Sequence, residues 1–490
     1  MTETQSIILG YVVNFVYAAI LIVVGELLHK KLHVEKEVAR KLEHIGASGS
    51  WLISYFFFGL TPHLIIFNAL GAVMLTVIAL TGAMSSIERE DTDKSYGLIW
   101  FGWGTFVVAV TAYLIKPELF VYGGIAYYSL ALGDGLAPLV ARLFNKNPKL
   151  NPVVHGKKTL WGMIAVYVIT MLVAVVFNYA FKLNFNWLYI ISVGGLACNA
   201  ELYGENGFDN LTVEFSVFGY TLLTYFGLTT TAFAIALAVA PLASIIFARA
   251  KALTEPASVI SYLYLLFTAF FIGYAGLVTI VTLFAIAAIV SKITSKKFNE
   301  RHNLEKTHHP RGFWQIFANS FVALLCALLF YVFDNPIFLY LVFTALAEEF
   351  ADSMASDIGR LSTTQPLDVL HFKPIEAGLS GGVSLLGLSA ALLGAAVAAA
   401  IPFLFLTFSL RVYLIIFLVG FVGTLIDSIL GSGIQVLYRC PVCETNTEKS
   451  VHCDTPTQYV KGLPFINNST VNFLSSVCSA VIALLIFLIF

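Results

Sequence analysis

The chain predicts an all-α fold: a polytopic transmembrane helical bundle in two membrane domains. Three observations carry that reading. Hydrophobic residues make up 58% of the 490 and charged residues only 12%, with a mean hydropathy of +0.84, whereas soluble chains are about 25% charged. Apolar runs near the length that crosses a bilayer recur from Ile7 to Phe490 and give about fourteen to sixteen spans. The charges gather in a few loops, and the net charge of −1 leaves no basic field for nucleic acid. The first apolar run, Ile7 to Leu28, lacks a basic leader and a small-residue cleavage site, so it reads as a retained span and not a signal peptide.

Lysine and arginine clusters set the topology. They run from Lys30 to Lys41, Arg89 to Lys94, Arg142 to Lys158, Arg249 to Lys251, Lys292 to Arg311, Arg360 to Lys373 and Arg439 to Lys461. The positive-inside rule puts these loops on the cytoplasmic side of the cell membrane, where nucleotides are, and turns the N-terminus outward. The hydrophobic sequence from Phe218 to Arg249 has no Pro/Ser-rich linker, and the expected domains are 1–225 and 226–490.

Taken in order, the first polar loop holds Arg40-Lys41-Leu42-Glu43-His44. On a helix Arg40 and His44 are i,i+4 neighbours; they are either two donors to one phosphate or part of a snorkelling interfacial helix. The loop around Arg89 is dense in both signs and reads as a solvated connector. Next comes Gly133-Asp134-Gly135, a carboxylate inside a lipid-like run, followed by Lys157-Lys158-Thr159. A charge at the bilayer centre costs about 2.5–3.5 kcal/mol on the insertion scale and usually persists for function. Asp134 reads as a metal-holding acid and Lys157 with Lys158 as a phosphate-holding pair; the alternative is a helix-capping Asp beside a positive-inside loop. A Walker loop is excluded, because Asn151 stands where that motif needs glycine before Gly156-Lys157. Glu201 and Asp209, with Asn210 and Thr212, form an oxygen-rich cluster suited to Mg²⁺, or a turn.

These motifs resemble those of the phytol kinase and dolichol kinase family, in its order and spacing, over about residues 1–225. The resemblance implies a multi-pass enzyme that transfers a phosphoryl group from CTP to a long-chain isoprenoid alcohol. Trp161 stands where that family carries an acid.

In the second half, Glu348, Glu349, Asp352 and Asp357 form the densest acid cluster. Asp352 and Asp357 lie about 140° apart on a regular helix and converge only if it unwinds near Ser356. The cluster reads as a second Mg²⁺–phosphate site, or as a helix end emerging into water. Gly381-Gly382-Val383-Ser384 precedes a helix and lets backbone N–H groups approach an anion. Asp427 is another lone acid in an apolar run. Cys440, Cys443, His452 and Cys453 are a candidate Zn²⁺ set, although adjacent His452 and Cys453 strain a tetrahedron. The basic loop with His302, His308 and His309 reads as solvated.

Together with Asn319, Asn467-Asn468 and Asn472 through Ser476, these motifs resemble the family of the plant phytyl-phosphate kinase, over about residues 226–490. Leu379-Ser380 stands where that family has Thr-Asn. The paired resemblances imply a bifunctional enzyme that makes a prenyl monophosphate and then the diphosphate. In that reading Asp134, Glu201 and Asp209 hold Mg²⁺ in the first half. Arg40, Lys41, Lys157, Lys158 and Thr159 hold nucleotide phosphates, and His44 orients the lipid hydroxyl. In the second half Asp352, Asp357 and Asp427 hold Mg²⁺, Gly381, Gly382 and Ser384 cradle phosphate, and Asn468 and Asn472 are polar contacts. The partners are the isoprenoid alcohol, its monophosphate, a nucleoside triphosphate and membrane lipid. Two other classes fit the same charges. A CTP-dependent lipid cytidylyltransferase would release pyrophosphate, and a cation-coupled transporter would place its acids near mid-membrane.

Overall fold

The computed structural model describes residues 2–81, 96–144, 158–204, 207–249, 253–302, 310–376 and 378–489. They form two compact units, Met1–Ile246 and Phe247–Phe490.

The first unit runs α1 (Glu3–Lys30), α2 (Lys36–Ala47), α3 (Gly49–Phe58), α4 (His63–Thr81), α5 (Tyr96–Ile115), α6 (Leu119–Phe144), α7 (Leu160–Phe181), α8 (Trp187–Tyr203), α9 (Asp209–Tyr225) and α10 (Thr231–Arg249). α1 is apolar all round and buries only Gly10, Asn14 and Gly25, as a helix facing lipid should. α6 is its opposite. It packs on α2, α5, α7 and α9 through a surface of Gly123, Gly124, Ala126, Ser129, Ala131, Gly133 and Gly135. Small residues let backbones approach where lipid removes the usual hydrophobic drive. A Cβ on Gly124 would stand 2.6 Å from the Phe177 ring, and one on Gly135 would stand 2.5 Å from Ile45.

The second unit runs α11 (Glu255–Ile272), α12 (Tyr274–His302), α13 (Phe313–Phe333), α14 (Pro336–Gly359), β1 (Leu367–Asp368), β2 (Gly382–Val383), α15 (Leu385–Ala400), α16 (Leu410–Gly433), β3 (Leu437–Arg439), β4 (Asn446–Thr447), β5 (Val451–His452), β6 (Thr455–Pro456), β7 (Gln458–Lys461) and α17 (Asn468–Ile489). α14 is its axis and packs on α12, α13, α15, α16 and α17. Asn335 caps it and Pro336 starts it, the usual helix-opening order. α15 meets α14 through Ala391, Gly394, Ala395 and Ala398. The loops carry three small antiparallel sheets, ordered β1-β2, β4-β3-β7 and β5-β6.

The chain is an all-α, multi-pass bundle. Among the described residues ten helices are long and apolar enough to cross a membrane: α1, α4, α5, α7, α11, α12, α13, α15 (with the turn after it), α16 and α17. α6, α8, α9 and α14 lie outside that set; α8 and α9 have 17 residues each, and α14 ends in four acids. These four helices hold Asp134, Glu201, Asp209 and Asp352, so apolarity falls where the candidate site acids are placed.

The close approach at Gly124 gives a direct check. Gly124→Ala should cost about 1–3 kcal/mol through overpacking and lower the unfolding temperature in detergent. Gly71→Ala on α4, where nothing lies within 4 Å, should not lower it.

Candidate active site

In the first unit, three carboxylates converge from three helices. Asp134 comes from the middle of α6, Glu201 from the end of α8, and Asp209 is the first residue of α9. One oxygen of each lies within 4.8 Å of the others. The turn between α8 and α9 makes this possible. A Cβ on Gly204 would fall 2.5 Å from the Asp209 Cα, and Gly207, at φ +81°, lies against Gly97. The Asn210 side chain donates to the Gly97 carbonyl at 2.7 Å and ties the start of α9 to the start of α5.

Two ammonium groups answer the three acids. Lys41, 4% exposed, reaches from α2 and donates to both Asp134 carboxylate oxygens at 2.6 Å and to the Asp134 carbonyl at 3.0 Å. Lys158 donates to Asp209 at 2.7 Å and pairs with Glu201. Glu201 Oε2 is buried with no hydrogen-bond partner. Three carboxylates against two lysines, with one oxygen unsatisfied, are a donor set for a hard divalent cation, which takes carboxylate oxygens.

His44 lies on the same side of α2 as Lys41. Its Nε2 is buried and 3.8 Å from Asp134 Oδ2. Arg40 pairs with Glu37 at 2.6 Å and stays within electrostatic reach of Asp134 and Asp209. Thr159 caps α7 by accepting from the Gly162 N–H at 3.1 Å. Lys157 and Arg89 lie outside the described residues. Two features escaped sequence reading. Arg142 makes a two-pronged pair with Glu35 at 2.6 and 2.8 Å, tying α6 to the start of α2. Glu214 is fully buried on α9, with Thr105 donating at 3.5 Å and Oε1 unpartnered. In the sequence it closes the oxygen-rich stretch that holds Glu201 and Asp209.

The second unit arranges its acids differently. α14 runs unbroken through Ser356, so Asp352 and Asp357 stay on different faces; Asp357 is buried and pairs with Arg360 at 2.8 Å. Glu348 is buried, and the Ser475 hydroxyl donates to it at 2.7 Å while lying 3.3 Å from Asp427 Oδ2. Asn472 donates to Asn319 at 3.2 Å. Asn468 accepts from Ser380 at 3.3 Å, and Ser380 in turn accepts from Gln435 at 3.0 Å. α13, α14, α16 and α17 are thus joined by hydroxyls and amides. Gly381, at φ +84°, lies against Ser432, where a Cβ would fall 2.6 Å away. Gly382 pairs with Asp368 in the β1-β2 sheet. Ser384 caps α15, accepting from the Gly387 N–H at 3.1 Å.

Beside this glycine turn, Asp368, Ser380, Gly431, Gln435, Glu448 and Lys461 help line a cavity of about 280 Å³. Asp368 and Glu448 were not singled out from sequence, because nothing in a short polar loop distinguishes them; nor was Ser432, near the end of α16. Burial pushes the Asp368 carboxyl up. Hydrogen bonds from Ser432, His371 and Leu370 outweigh that and hold it well below the usual carboxylate range.

Residues 238–480 match the family model described as integral membrane protein DUF92. The chain is 36% identical over 139 residues to Protein PGR of Arabidopsis thaliana, covering 25% of this chain and 46% of that protein. It is 27% identical over 207 residues to the phytol kinase of Synechocystis sp., covering 40% of this chain and 83% of that protein. It is 25% identical over 164 residues to an uncharacterized membrane protein of Methanocaldococcus jannaschii, covering 33% of this chain and 66% of that protein. The chain therefore spans about half the length of the Arabidopsis relative. No solved structure matches.

Asp368 yields a pH prediction. A carboxyl whose folded pKa is depressed stabilises the fold above its unfolded pKa of about 3.9, and that contribution is lost as pH falls through and below that value. Asp368→Asn should therefore lower the unfolding temperature at neutral pH and flatten its decline below about pH 4, read by thermal unfolding across pH.

Proposed function

We propose that this membrane protein is a bifunctional prenol kinase. Its first unit would phosphorylate an isoprenoid alcohol of the phytol, farnesol or geranylgeraniol type from CTP, and its second would convert the monophosphate to the diphosphate. The observation that carries the reading is the meeting of Asp134, Glu201 and Asp209 with Lys41 and Lys158, with the buried Glu201 oxygen left unsatisfied. The similarity to a phytol kinase supports the substrate class.

Phosphoryl transfer asks a protein mostly for positioning and charge neutralisation. Asp134, Glu201 and Asp209 would hold Mg²⁺, which would offset phosphate charge. Lys41 and Lys158 are held by the acids and would turn to nucleotide phosphates as these enter. Arg40, on α2, would add positive charge, as would Lys157, the neighbour of Lys158 in sequence. His44 Nε2, close to Asp134 and without a partner, would accept a hydrogen bond from the lipid hydroxyl and orient it at the γ-phosphorus. That hydroxyl oxygen would form the new P–O bond as its proton passes to His44 Nε2, the bond to the β-phosphate bridging oxygen would break, and CDP would leave. In the second unit Asp352 and Asp427 are the proposed Mg²⁺ acids, and Asp357, on another face of α14 and paired with Arg360, is left out of that set. The turn at Gly381 and Gly382 and the α15 N-terminus at Ser384 would receive the prenyl phosphate, with Asn468 and Asn472 as polar contacts.

Purified protein given CTP, Mg²⁺ and a panel of prenols tests this. CDP should appear; pyrophosphate would mark a cytidylyltransferase instead. Asp134→Asn should slow the first phosphorylation by about 10²–10³-fold yet leave conversion of supplied monophosphate unchanged. Asp352→Asn should accumulate monophosphate. Equal losses in both steps for both variants would end the two-site division.

A further inference from the structure

The loop between α16 and α17 gathers Cys440, Cys443, His452 and Cys453, with one ligand atom of each within 4.8 Å of the others. None of these cysteines is in a disulfide. A tetrahedral zinc with Zn–S of about 2.3 Å and Zn–N of about 2.0–2.1 Å places sulfur and nitrogen about 3.5 Å apart and two sulfurs about 3.8 Å apart. The His452 Nδ1 lies 3.5 Å from Cys443 Sγ and 3.3 Å from Cys453 Sγ, close to those edges.

The backbone removes the difficulty that adjacent ligands pose. Cys453 and Asp454 sit at φ +50° and +54°. Two successive left-handed residues turn the chain sharply, so His452 and Cys453 both face the other two ligands. The first pair is built on a turn as well. The Glu444 N–H donates to the Cys440 carbonyl and the Cys440 N–H to the Thr445 carbonyl, each at 3.0 Å, with Glu444 at φ +58°. Left-handed non-glycine residues persist when the surroundings fix them, and here three of them surround one set of thiols.

We propose that Cys440, Cys443, His452 and Cys453 bind one structural Zn²⁺ that clamps this loop and fixes a wall of the neighbouring cavity. Four protein ligands fill the tetrahedron and leave no open position, the mark of a structural and not a catalytic zinc. Cys440 and Cys443 lie between β3 and β4, and His452 and Cys453 lie at the end of β5. From the β4-β3-β7 sheet and its flanks Asn446, Glu448 and Lys461 reach the cavity. Glu448 accepts from the Ser380 N–H at 2.8 Å, and Lys461 donates to the Ser432 carbonyl at 3.1 Å. The proposal does not depend on what the cavity binds.

The test uses the full chain in detergent, purified under reducing conditions without chelator or metal-affinity resin. Elemental analysis should find one zinc per chain. Cobalt substituted for it should give thiolate charge-transfer and tetrahedral ligand-field bands. Cys443→Ser and Cys453→Ser should lose the metal, His452→Cys should keep it as a four-thiolate site, and Cys478→Ser should not affect it. Removing zinc from the unaltered protein should lower its unfolding temperature and expose residues 440–461 to protease, both reversed by adding Zn²⁺. These last readouts do not depend on whether a variant folds. Absence of zinc together with absence of cobalt–thiolate bands, full zinc in the Cys443→Ser and Cys453→Ser variants, or a disulfide among these cysteines in the reduced protein would each overturn the proposal.

Discussion

The first unit depends on holding three carboxylates together inside an apolar bundle. Each would be costly alone, since an unpaired buried charge costs several kcal/mol. Lys41 meets Asp134 with both carboxylate oxygens and the carbonyl, and Lys158 bridges Glu201 and Asp209. That constraint reaches far along the chain. α2 must lie close against α6 for Lys41 to arrive, which is why Gly135 faces Ile45. The α8–α9 turn must be tight for Asp209 to face Glu201, which is why glycines stand at 204 and 207. The Arg142–Glu35 pair holds the same two helices from their other ends.

The second unit meets the same problem by other means. Among the described residues no ion pair reaches Glu348, Asp352 or Asp427. Ser475 sits between Glu348 and Asp427, and Asn319 and Asn472 extend the polar chain. Hydroxyls and amides satisfy oxygens without supplying charge. Gly423 explains how the acids fit: a Cβ there would fall 2.4 Å from the Glu348 side chain, so α16 can lie against α14 only with glycine at that point.

Much of this was legible because lone acids stand out in lipid-like sequence. Asp134 was named from that contrast, Glu201 and Asp209 from an oxygen-rich polar stretch, and the structure brings the three together. Helix phase was harder to read. Arg40 and His44 share an i,i+4 row, but the contact to α6 is made by Lys41 and His44, one residue round the helix, while Arg40 turns to Glu37. Sequence cannot choose between adjacent rows of an amphipathic helix when both carry cations. The small sheets were not legible at all. A strand of two residues, such as β1 or β5, has no alternation to detect, and its place is set by what it pairs with. Asp368 and Glu448 gain their roles only through that pairing.

The contrast in charge balance separates what the two halves need. In the first unit the lysines already balance most of the acid charge, so an incoming cation competes with ammonium groups. Any phosphate it brings gives those ammoniums a new partner. On the proposed function, the lysines that pair with the acids are also the groups that would bind phosphate. In the second unit Asp357 has Arg360, but among the described residues Glu348 and Asp427 share the Ser475 hydroxyl and no ion pair. On the proposed function, the first arrangement would suit a site that releases and rebinds a charged nucleotide, because its acids keep lysine partners. The second would rely on the glycine turn at 381 and 382 to receive phosphate, because Glu348 and Asp427 share a hydroxyl and not a cation.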